Sequence, residues 1–346
     1  SNKNTSSNIP AYPYYVLYPN WQLAIAPKIK ANFSEWGSTV IGYDFNQASQ
    51  SSSYGSNFSS TSLQQNVNVM NQSMYLISRI PLKAIDGLEA SGGFRHQAQN
   101  ASTNDFSTGS TISASQKYSA NAGDLALNYN YQPGQNVFIK WDQSYRFPNT
   151  DEFWGFNPDT YTPVFNGYTP VFNGILKPQI SQTYSVGGDW KLRQTHLSAL
   201  VFQSITQNEI RYDPSSGSNI NTAGNINRTG FLFDSSSNIT KNLTLAGGGK
   251  IQRSTFTTGE IAGVGVGLSP DLLLNARAQY MFNTSWSAGA VVNYVSNQNY
   301  ESDPAITNSL AKIPSYVAAD IYVNYRIHSW ETKFMIKNIG GNSYAT

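Results

Sequence analysis

The feature that most constrains this chain is a two-residue alternation of apolar and polar side chains over unusually long segments. Between residues 316 and 327 every odd-numbered position is apolar or aromatic, whereas the even-numbered positions include Asp320, Asn324 and Arg326. A period of two is typical of a β-strand whose two faces meet different surroundings. Such runs extend over about 9–12 residues, the length with which a tilted strand crosses a bilayer. They therefore predict membrane-crossing β-strands.

The connections between these strands alternate between short and long. The same criteria predict about 14 strands, at residues 21–33, 37–47, 68–80, 87–97, 118–131, 136–146, 180–192, 196–206, 226–240, 243–253, 271–282, 286–296, 315–327 and 330–338. The long connections are 48–67, 98–117, 147–179, 207–225, 254–270 and 297–314. Tight periplasmic turns alternating with long outer loops are typical of outer-membrane barrels. The predicted fold is all-β: a transmembrane, antiparallel, up-and-down β-barrel with long extracellular loops.

Composition excludes several classes of function. The net charge is +2, only 12% of residues are charged, and there is no Cys. A nucleic-acid-binding protein would show a basic stripe, and without Cys there is neither a thiolate metal site nor a Cys nucleophile. No nucleotide-binding, metalloprotease or Ser-His-Asp signature occurs. We predict no enzyme activity, no metal site, no cofactor and no nucleic-acid partner.

The long connections differ in composition. Residues 48–67 and 98–117 are rich in Ser, Asn, Thr and Gly, so we interpret them as flexible polar loops. Residues 259–268 are Gly-rich but do not join a strand to a helix, which disfavours a nucleotide site. The adjacent carboxylates Asp151 and Glu152 are interpreted as solvated loop residues.

One loop contains a heptapeptide written twice, YTPVFNG-YTPVFNG, at residues 161–174. A loop can absorb seven extra residues without disturbing strand register, because loop closure costs grow slowly with length. This loop also concentrates aromatic side chains, which either pack onto neighbouring loops or bind a ligand with an apolar face and a polar rim. The candidate ligand-binding residues are Trp154, Phe156, Tyr161, Phe165, Tyr168 and Phe172.

Four motifs resemble the barrel of TonB-dependent outer-membrane receptors, in the same order and at suitable spacing. They are Arg146-Phe147-Pro148 followed by Asp151-Glu152-Phe153, then Leu176-Lys177-Pro178-Gln179, then Phe202 to Ile210, and finally Asn338-Ile339-Gly340-Gly341 with Tyr344. The resemblance is clear over residues 118–346 and extends from residue 21. Two departures are Gln179 in place of Glu and Gly-Gly in place of Phe-Asp. No His lies between the first and second motifs, which disfavours the heme receptors of the family.

The resemblance implies more than the residues alone can. It implies that residues 1–346 form a single barrel domain belonging to a barrel of about 22 strands, with a plug domain that is not in this sequence. Charged side chains facing the lumen would then solvate it or pair with the plug: Lys140, Asp142, Lys250, Arg277, Asp320, Glu331, Lys333 and Lys337.

The implied function is uptake of a scarce nutrient across the bacterial outer membrane, foremost a ferric siderophore. The implied partners are an inner-membrane TonB energy-coupling complex, a small-molecule ligand such as a metal chelate, and outer-membrane lipid with lipopolysaccharide. A passive porin, or a receptor of the same family for cobalamin, carbohydrate or another ligand, is the alternative. A soluble β protein such as an adhesin is a third interpretation, which extraction only by detergent would exclude.

Overall fold

The chain folds almost entirely into antiparallel β-strands. The computed structural model describes residues 5–7, 14–55, 62–106, 111–149, 152, 154–162, 167–172, 176–213, 218–300 and 312–343. The strands are β1 (Thr5–Ser7), β2 (Tyr14–Leu17), β3 (Asn20–Ile25), β4 (Lys28–Asn32), β5 (Ser38–Gly55), β6 (Ser62–Pro81), β7 (Leu88–Asp105), β8 (Ile112–Gln132), β9 (Gln135–Arg146), β10 (Trp154–Thr162), β11 (Gly167–Phe172), β12 (Gln179–Leu192), β13 (Thr195–Gln207), β14 (Ile210–Asp213), β15 (Ser218–Asn221), β16 (Ile226–Asn238), β17 (Leu243–Phe256), β18 (Leu272–Met281), β19 (Trp286–Val295), β20 (Gln298–Asn299), β21 (Lys312–Ile313), β22 (Tyr316–Ile327) and β23 (Trp330–Ile336).

One large sheet contains the long strands, each paired to its neighbours in sequence. Its order is β5-β6-β7-β8-β9-β12-β13-β16-β17-β18-β19-β22-β23, antiparallel throughout. The free side of β5 is lined in turn by β2, β3 and β4. Among the described residues β23 pairs with β22, and β2, β3 and β4 pair with β5 but not with β23, so the sheet has two edges. Three small hairpins, β10–β11, β14–β15 and β20–β21, lie in the long connections.

Pro27 interrupts the strand predicted at 21–33, and Pro19 separates that segment from the strand before it. The structure places Pro19 between β2 and β3, and Pro27 between β3 and β4. Proline cannot donate a ladder hydrogen bond, so it is tolerated on an edge strand. Both prolines still accept a hydrogen bond from β5, at 3.0 Å from the N–H groups of Ser51 and Tyr43. The three pieces therefore line β5 as one interrupted strand.

The predicted alternation of faces is confirmed. In β22 the side chains of Val317, Ile321 and Val323 are exposed, whereas Tyr322 on the opposite face is only 4% exposed. The exposed face continues across the sheet as an apolar surface that includes Ile41, Phe94, Leu125, Ile139, Val186, Val201, Ile251 and Phe334. The polar face carries the predicted lumen charges. This is the distribution expected of strands with lipid on one side.

The predicted short connections are tight turns in the structure. Residues 34–36 form a 3₁₀ turn, Ser34–Trp36. In the turn between β8 and β9, Pro133 precedes Gly134, whose φ of +76° is the left-handed conformation that glycine adopts freely. In the part of the chain that the structure describes, no helix is long and apolar enough to cross a membrane.

The prediction of flexible polar loops at 48–67 and 98–117 is wrong over most of both ranges. Strands β5 and β6 pair as far as Tyr54 opposite Ser62, and β7 and β8 as far as Asp105 opposite Ile112. Backbone pairing does not depend on apolar side chains, and polar side chains add cross-strand bonds of their own. The Asn71 amide oxygen, for example, accepts hydrogen bonds from Gln97 at 3.1 Å and Gln99 at 2.9 Å.

In the part of the chain that the structure describes, two small apolar clusters lie at the outer ends of the strands. The first packs Ala101, Tyr118 and Phe147, with the rings of Tyr118 and Phe147 stacked 5.6 Å apart. The second packs Ile226 and Phe256 against Val266 of the Gly-rich connection. That connection joins β17 to β18, as predicted, and folds back onto the end of β17 through a bridge between Thr255 and Gly265.

Candidate ligand-binding site

The predicted aromatic residues belong to one hairpin. Trp154, Phe156 and Tyr161 lie in β10, and Tyr168 and Phe172 lie in β11. The sixth, Phe165, lies outside the described residues. The five positions thus come together on two paired strands in the longest connection of the sheet.

The hairpin's register places aromatic positions opposite one another. Trp154 pairs with Phe172, Tyr161 pairs with Tyr168, and a register shift separates Phe156 from Tyr161. Tyr161 and Tyr168 are the first residues of the two copies of the heptapeptide, so the repeat pairs with itself. The doubled sequence therefore forms much of this hairpin.

A second outer hairpin adjoins the first. It consists of β14 and β15, with Ile210 opposite Asn221 and Asp213 opposite Ser218. The backbones of β10 and β15 lie next to each other. Two outer hairpins are thus neighbours above the ends of β9, β12 and β13.

The start of the aromatic loop is fixed by an ion pair. One guanidinium nitrogen of Arg146, Nη1, donates to both carboxylate oxygens of Glu152 at 2.9 Å. The backbone N–H of Asn149 donates to the same carboxylate at 2.7 Å. The Glu152 side chain is only 14% exposed. The interpretation of Glu152 as a solvated residue is therefore wrong, because its partners remove it from water; Asp151 lies outside the described residues.

The end of the same loop is fixed to the second hairpin. The backbone N–H of Lys177 donates to the Asn221 side-chain oxygen at 2.7 Å, and the Asn221 amide donates back to the Lys177 carbonyl at 3.0 Å. The same amide also donates to the carbonyl of Asn208 at 2.9 Å. Nothing in the sequence around Asn221 points to this role, because Lys177 lies in another connection and Asn208 lies 13 residues earlier in the same connection.

The motifs that carried the family resemblance meet at Ile210. Arg146 donates to the Ile210 carbonyl through Nη2 at 3.3 Å, and the Ile210 N–H donates to the Gln179 side-chain oxygen at 3.3 Å. These residues come from the first, second and third motifs. The sequence revealed the order of the three motifs but did not indicate that they contact one another at Ile210.

Charged side chains on the polar face form ion pairs with one another. Arg95 contacts Asp44 at 2.8 Å, and Lys140 contacts Asp142 at 3.5 Å. Near the outer end, Arg228 contacts Glu209 at 2.7 Å. Within the described ranges no group of three His, Asp or Glu side chains is placed to hold a metal ion.

The comparisons with known proteins agree with this architecture. The sequence model of the family described as "TonB dependent receptor-like, beta-barrel" matches residues 1–339. No curated protein matches the sequence.

Several solved structures share the fold. The ferric yersiniabactin uptake receptor FyuA from Yersinia pestis has 15% identity and a TM-score of 0.69, covering 99% of this chain and 52% of its own. The siderophore receptor PiuA from Acinetobacter baumannii has 16% identity and a TM-score of 0.72, covering 96% and 53%. The ferric citrate transporter FecA has 15% identity and a TM-score of 0.70, covering 99% and 53%.

The present chain thus spans about half the length of these structures. At such low identity the likeness concerns the fold, whereas the family match extends over nearly the whole sequence. Proteins of this family are outer-membrane transporters and not enzymes. The chain belongs to the TonB-dependent receptor β-barrel family of the bacterial outer membrane.

Proposed function

We propose that this protein takes up a ferric siderophore by active transport energised through TonB. The observation that carries the proposal is the family match over residues 1–339. Three proteins of similar structure add support, because they are a ferric yersiniabactin receptor, a siderophore receptor and a ferric citrate transporter. Another protein of similar structure, OprC, is a copper transporter, so the class of cargo needs its own test.

In this proposal residues 1–346 are part of a barrel of about 22 strands with a plugged lumen. The lumen charges solvate the interior or pair with the plug domain, while the outer face contacts lipid and lipopolysaccharide. The inner-membrane TonB complex acts on the plug. These parts of the proposal follow from the family and not from contacts in this chain.

The aromatic hairpin is the proposed ligand-binding element. Its candidate residues Trp154, Phe156, Tyr161, Tyr168 and Phe172 are concentrated on two paired strands, and Phe165 lies in the sequence between those strands. Aromatic side chains provide large contact area for a ligand with an apolar face and a polar rim. Iron(III) chelates of siderophores have such a surface. The hairpin's base is fixed at both ends, which limits the entropy that binding would cost.

Uptake of radiolabelled iron tests the transport proposal. The full-length receptor is expressed in cells lacking their own siderophore receptors, with and without TonB. The probes are iron(III) complexes of a triscatecholate, a trihydroxamate and citrate, followed by cobalamin and oligosaccharides. We expect saturable uptake of one iron complex that disappears without TonB. Uptake that persists without TonB would favour a passive porin, and uptake of cobalamin or oligosaccharide alone would favour the other receptors.

A double substitution tests the hairpin. Tyr168→Ser with Phe172→Ser keeps loop length and removes two aromatic side chains. Loss of one aromatic contact costs about 1 kcal/mol, so we expect at least about a fivefold weaker affinity for the transported iron complex. Heat-resistant electrophoretic mobility checks that the barrel is intact. Unchanged affinity would assign these aromatics to packing between loops.

A further inference from the structure

The backbone of Ile210 is held by side chains from two neighbouring strand ends. Its carbonyl accepts a hydrogen bond from Arg146 at the end of β9, and its N–H donates to Gln179 at the start of β12. The Ile210 side chain is buried. Both polar backbone groups of this residue are therefore satisfied by other elements, which fixes where β14 begins.

Arg146 contributes to a second contact at the same time. While Nη2 reaches Ile210, Nη1 donates to both oxygens of Glu152, and Glu152 accepts the Asn149 N–H. One planar guanidinium thus connects the start of the aromatic loop to the start of the second hairpin. Arginine suits this role because its donors are held in a fixed fork, whereas the ammonium of lysine is a single point.

The distribution of charge around Arg146 favours an ion pair between its guanidinium and the carboxylate of Glu152. Gln179 lies directly opposite Arg146 in the β9–β12 ladder, but it is neutral. Among the described residues Glu152 is the carboxylate in ion-pair contact with Arg146. Because Glu152 is largely shielded from water, its attraction to the guanidinium is screened less than that of an exposed pair.

We propose that Arg146, Glu152 and Gln179 form a latch that positions the aromatic hairpin against the β14–β15 hairpin. The latch is a positioning device, and its consequence for ligand binding rests on the function proposed above. Without it the hairpin would remain attached through Asn221 and Lys177 at the other end of the loop. The aromatic positions would then sample more arrangements, and binding would cost more conformational entropy.

Two substitutions of the full-length receptor break different halves of the latch. Glu152→Gln removes the charge and keeps the shape of the side chain. Arg146→Lys keeps the charge but cannot reach Glu152 and Ile210 with a planar fork. A role for charge alone would tolerate Arg146→Lys, whereas the latch would not. The matched control is Glu331→Gln, which breaks the exposed Arg326–Glu331 pair beside a short turn, far along the strands from the outer hairpins.

Hairpin position is measured separately from binding. Because this chain has no Cys, spin labels can be placed at Thr169→Cys in β11 and Asn219→Cys in β15. Pulsed electron resonance then gives the distribution of distances between the hairpins. Affinity is measured with the iron(III) triscatecholate, trihydroxamate and citrate complexes.

The latch predicts that Glu152→Gln and Arg146→Lys both broaden the distance distribution, while Glu331→Gln does not. We expect affinity for the bound iron complex to fall about fivefold, which corresponds to about 1 kcal/mol. Broadening with unchanged affinity would support the latch and count against the aromatic hairpin as the ligand site. An unchanged distribution in both variants, or loss of affinity without broadening, would overturn the latch.

A third variant tests the role of neutrality at position 179. Gln179→Glu places a carboxylate opposite Arg146, where it competes with Glu152 for the guanidinium. We expect broadening of the same distance distribution without loss of any charged group. If the distribution stays narrow in Gln179→Glu and Arg146 still contacts Glu152, the latch does not require an uncharged residue at position 179.

Discussion

Two parts of the sheet cross the same membrane with strands of very different length. The tall wall, β5–β8, has strands of 18 to 21 residues, whereas the short wall, β18, β19, β22 and β23, has strands of 7 to 12. A tilted strand needs about 9–11 residues to cross a bilayer. The tall wall therefore extends beyond the membrane by about half its length.

The outward faces of the two walls explain the difference. Near the short turns both walls expose apolar side chains, such as Phe94 and Leu125 in the tall wall and Ile321 and Phe334 in the short wall. Farther out, the tall wall presents Ser, Asn and Gln on both faces. Strand length in this protein is thus set by pairing and local packing as well as by the membrane.

The largest effect we expect comes from removing the packing at the outer end of the tall wall. Phe147 lies 5.6 Å from the ring of Tyr118 and 5.0 Å from that of Tyr145. Phe147→Ala should lower the free energy of unfolding by about 3–5 kcal/mol, the usual cost of truncating a buried Phe. Phe147→Leu should cost less than about 1.5 kcal/mol. Urea unfolding in lipid vesicles measures both, and equal stability of the Ala variant and the wild type would show that this cluster does not support the wall.

A charge on the outward face should distinguish the membrane belt from the extension above it. Ile321 lies in the short wall between Ala290 and Ile336, and Ile321→Arg should cost about 2–4 kcal/mol if the site is near the midplane. Ser102 is on the outward face of the tall wall's outer half, between Asn68 and Ser115. Ser102→Arg should change stability by less than about 0.5 kcal/mol. Similar costs at the two positions, in the same unfolding assay, would place the outer half of β7 in lipid.

In both walls a tyrosine ring packs over the backbone of a glycine on the neighbouring strand. A Cβ at Gly42 would be 2.2 Å from the Tyr75 ring, and one at Gly289 would be 2.5 Å from the Tyr322 ring. Gly42→Ala and Gly289→Ala should therefore each cost about 1–3 kcal/mol through overpacking. The unfolding temperature should fall by a similar amount in both variants. A large shift in only one wall would show that the other can move its ring aside.

The smallest effect should come at the upper limit of the apolar belt. Gln182 and Gln143 share a hydrogen bond of 3.0 Å on the outward face, one step beyond the exposed Tyr184. If these amides meet lipid head groups, Gln182→Leu should cost about 0.5–1.5 kcal/mol, the net value of one hydrogen bond. If they lie within hydrocarbon, the Leu variant should be more stable than the wild type. Equilibrium unfolding in vesicles distinguishes the two signs.

The sequence predicted the membrane-level halves of the strands because one face there is apolar and the other polar. It missed the outer halves of β5–β8 because Ser, Asn, Thr and Gln on both faces give no periodic signal, although the backbones pair equally well. It missed the interruption at Pro27 because the alternation on either side continues.

The sequence identified the aromatic residues of the candidate site but not how they are arranged in space. Aromatic content alone identified residues such as Trp154 and Phe172, while their opposition depends on a register shift that composition does not encode. Glu152 was misinterpreted because its shielding depends on how the loop folds back onto Arg146 at the end of β9, which two adjacent carboxylates in a sequence do not reveal. The contact of Arg146 with Ile210, which lies 64 residues farther along the chain, leaves no mark in a single sequence either.

The self-pairing of the repeat has a consequence for how this loop arose. The second copy supplies most of β11, Tyr168 to Phe172, while the first copy supplies the end of β10 and the residues between the two strands. One copy alone would have a connection and no returning strand for it. A single tandem duplication in the gene therefore turns a bend into a hairpin without moving any residue of the membrane ladder. The outer hairpin can change in one genetic step while the sheet keeps its register.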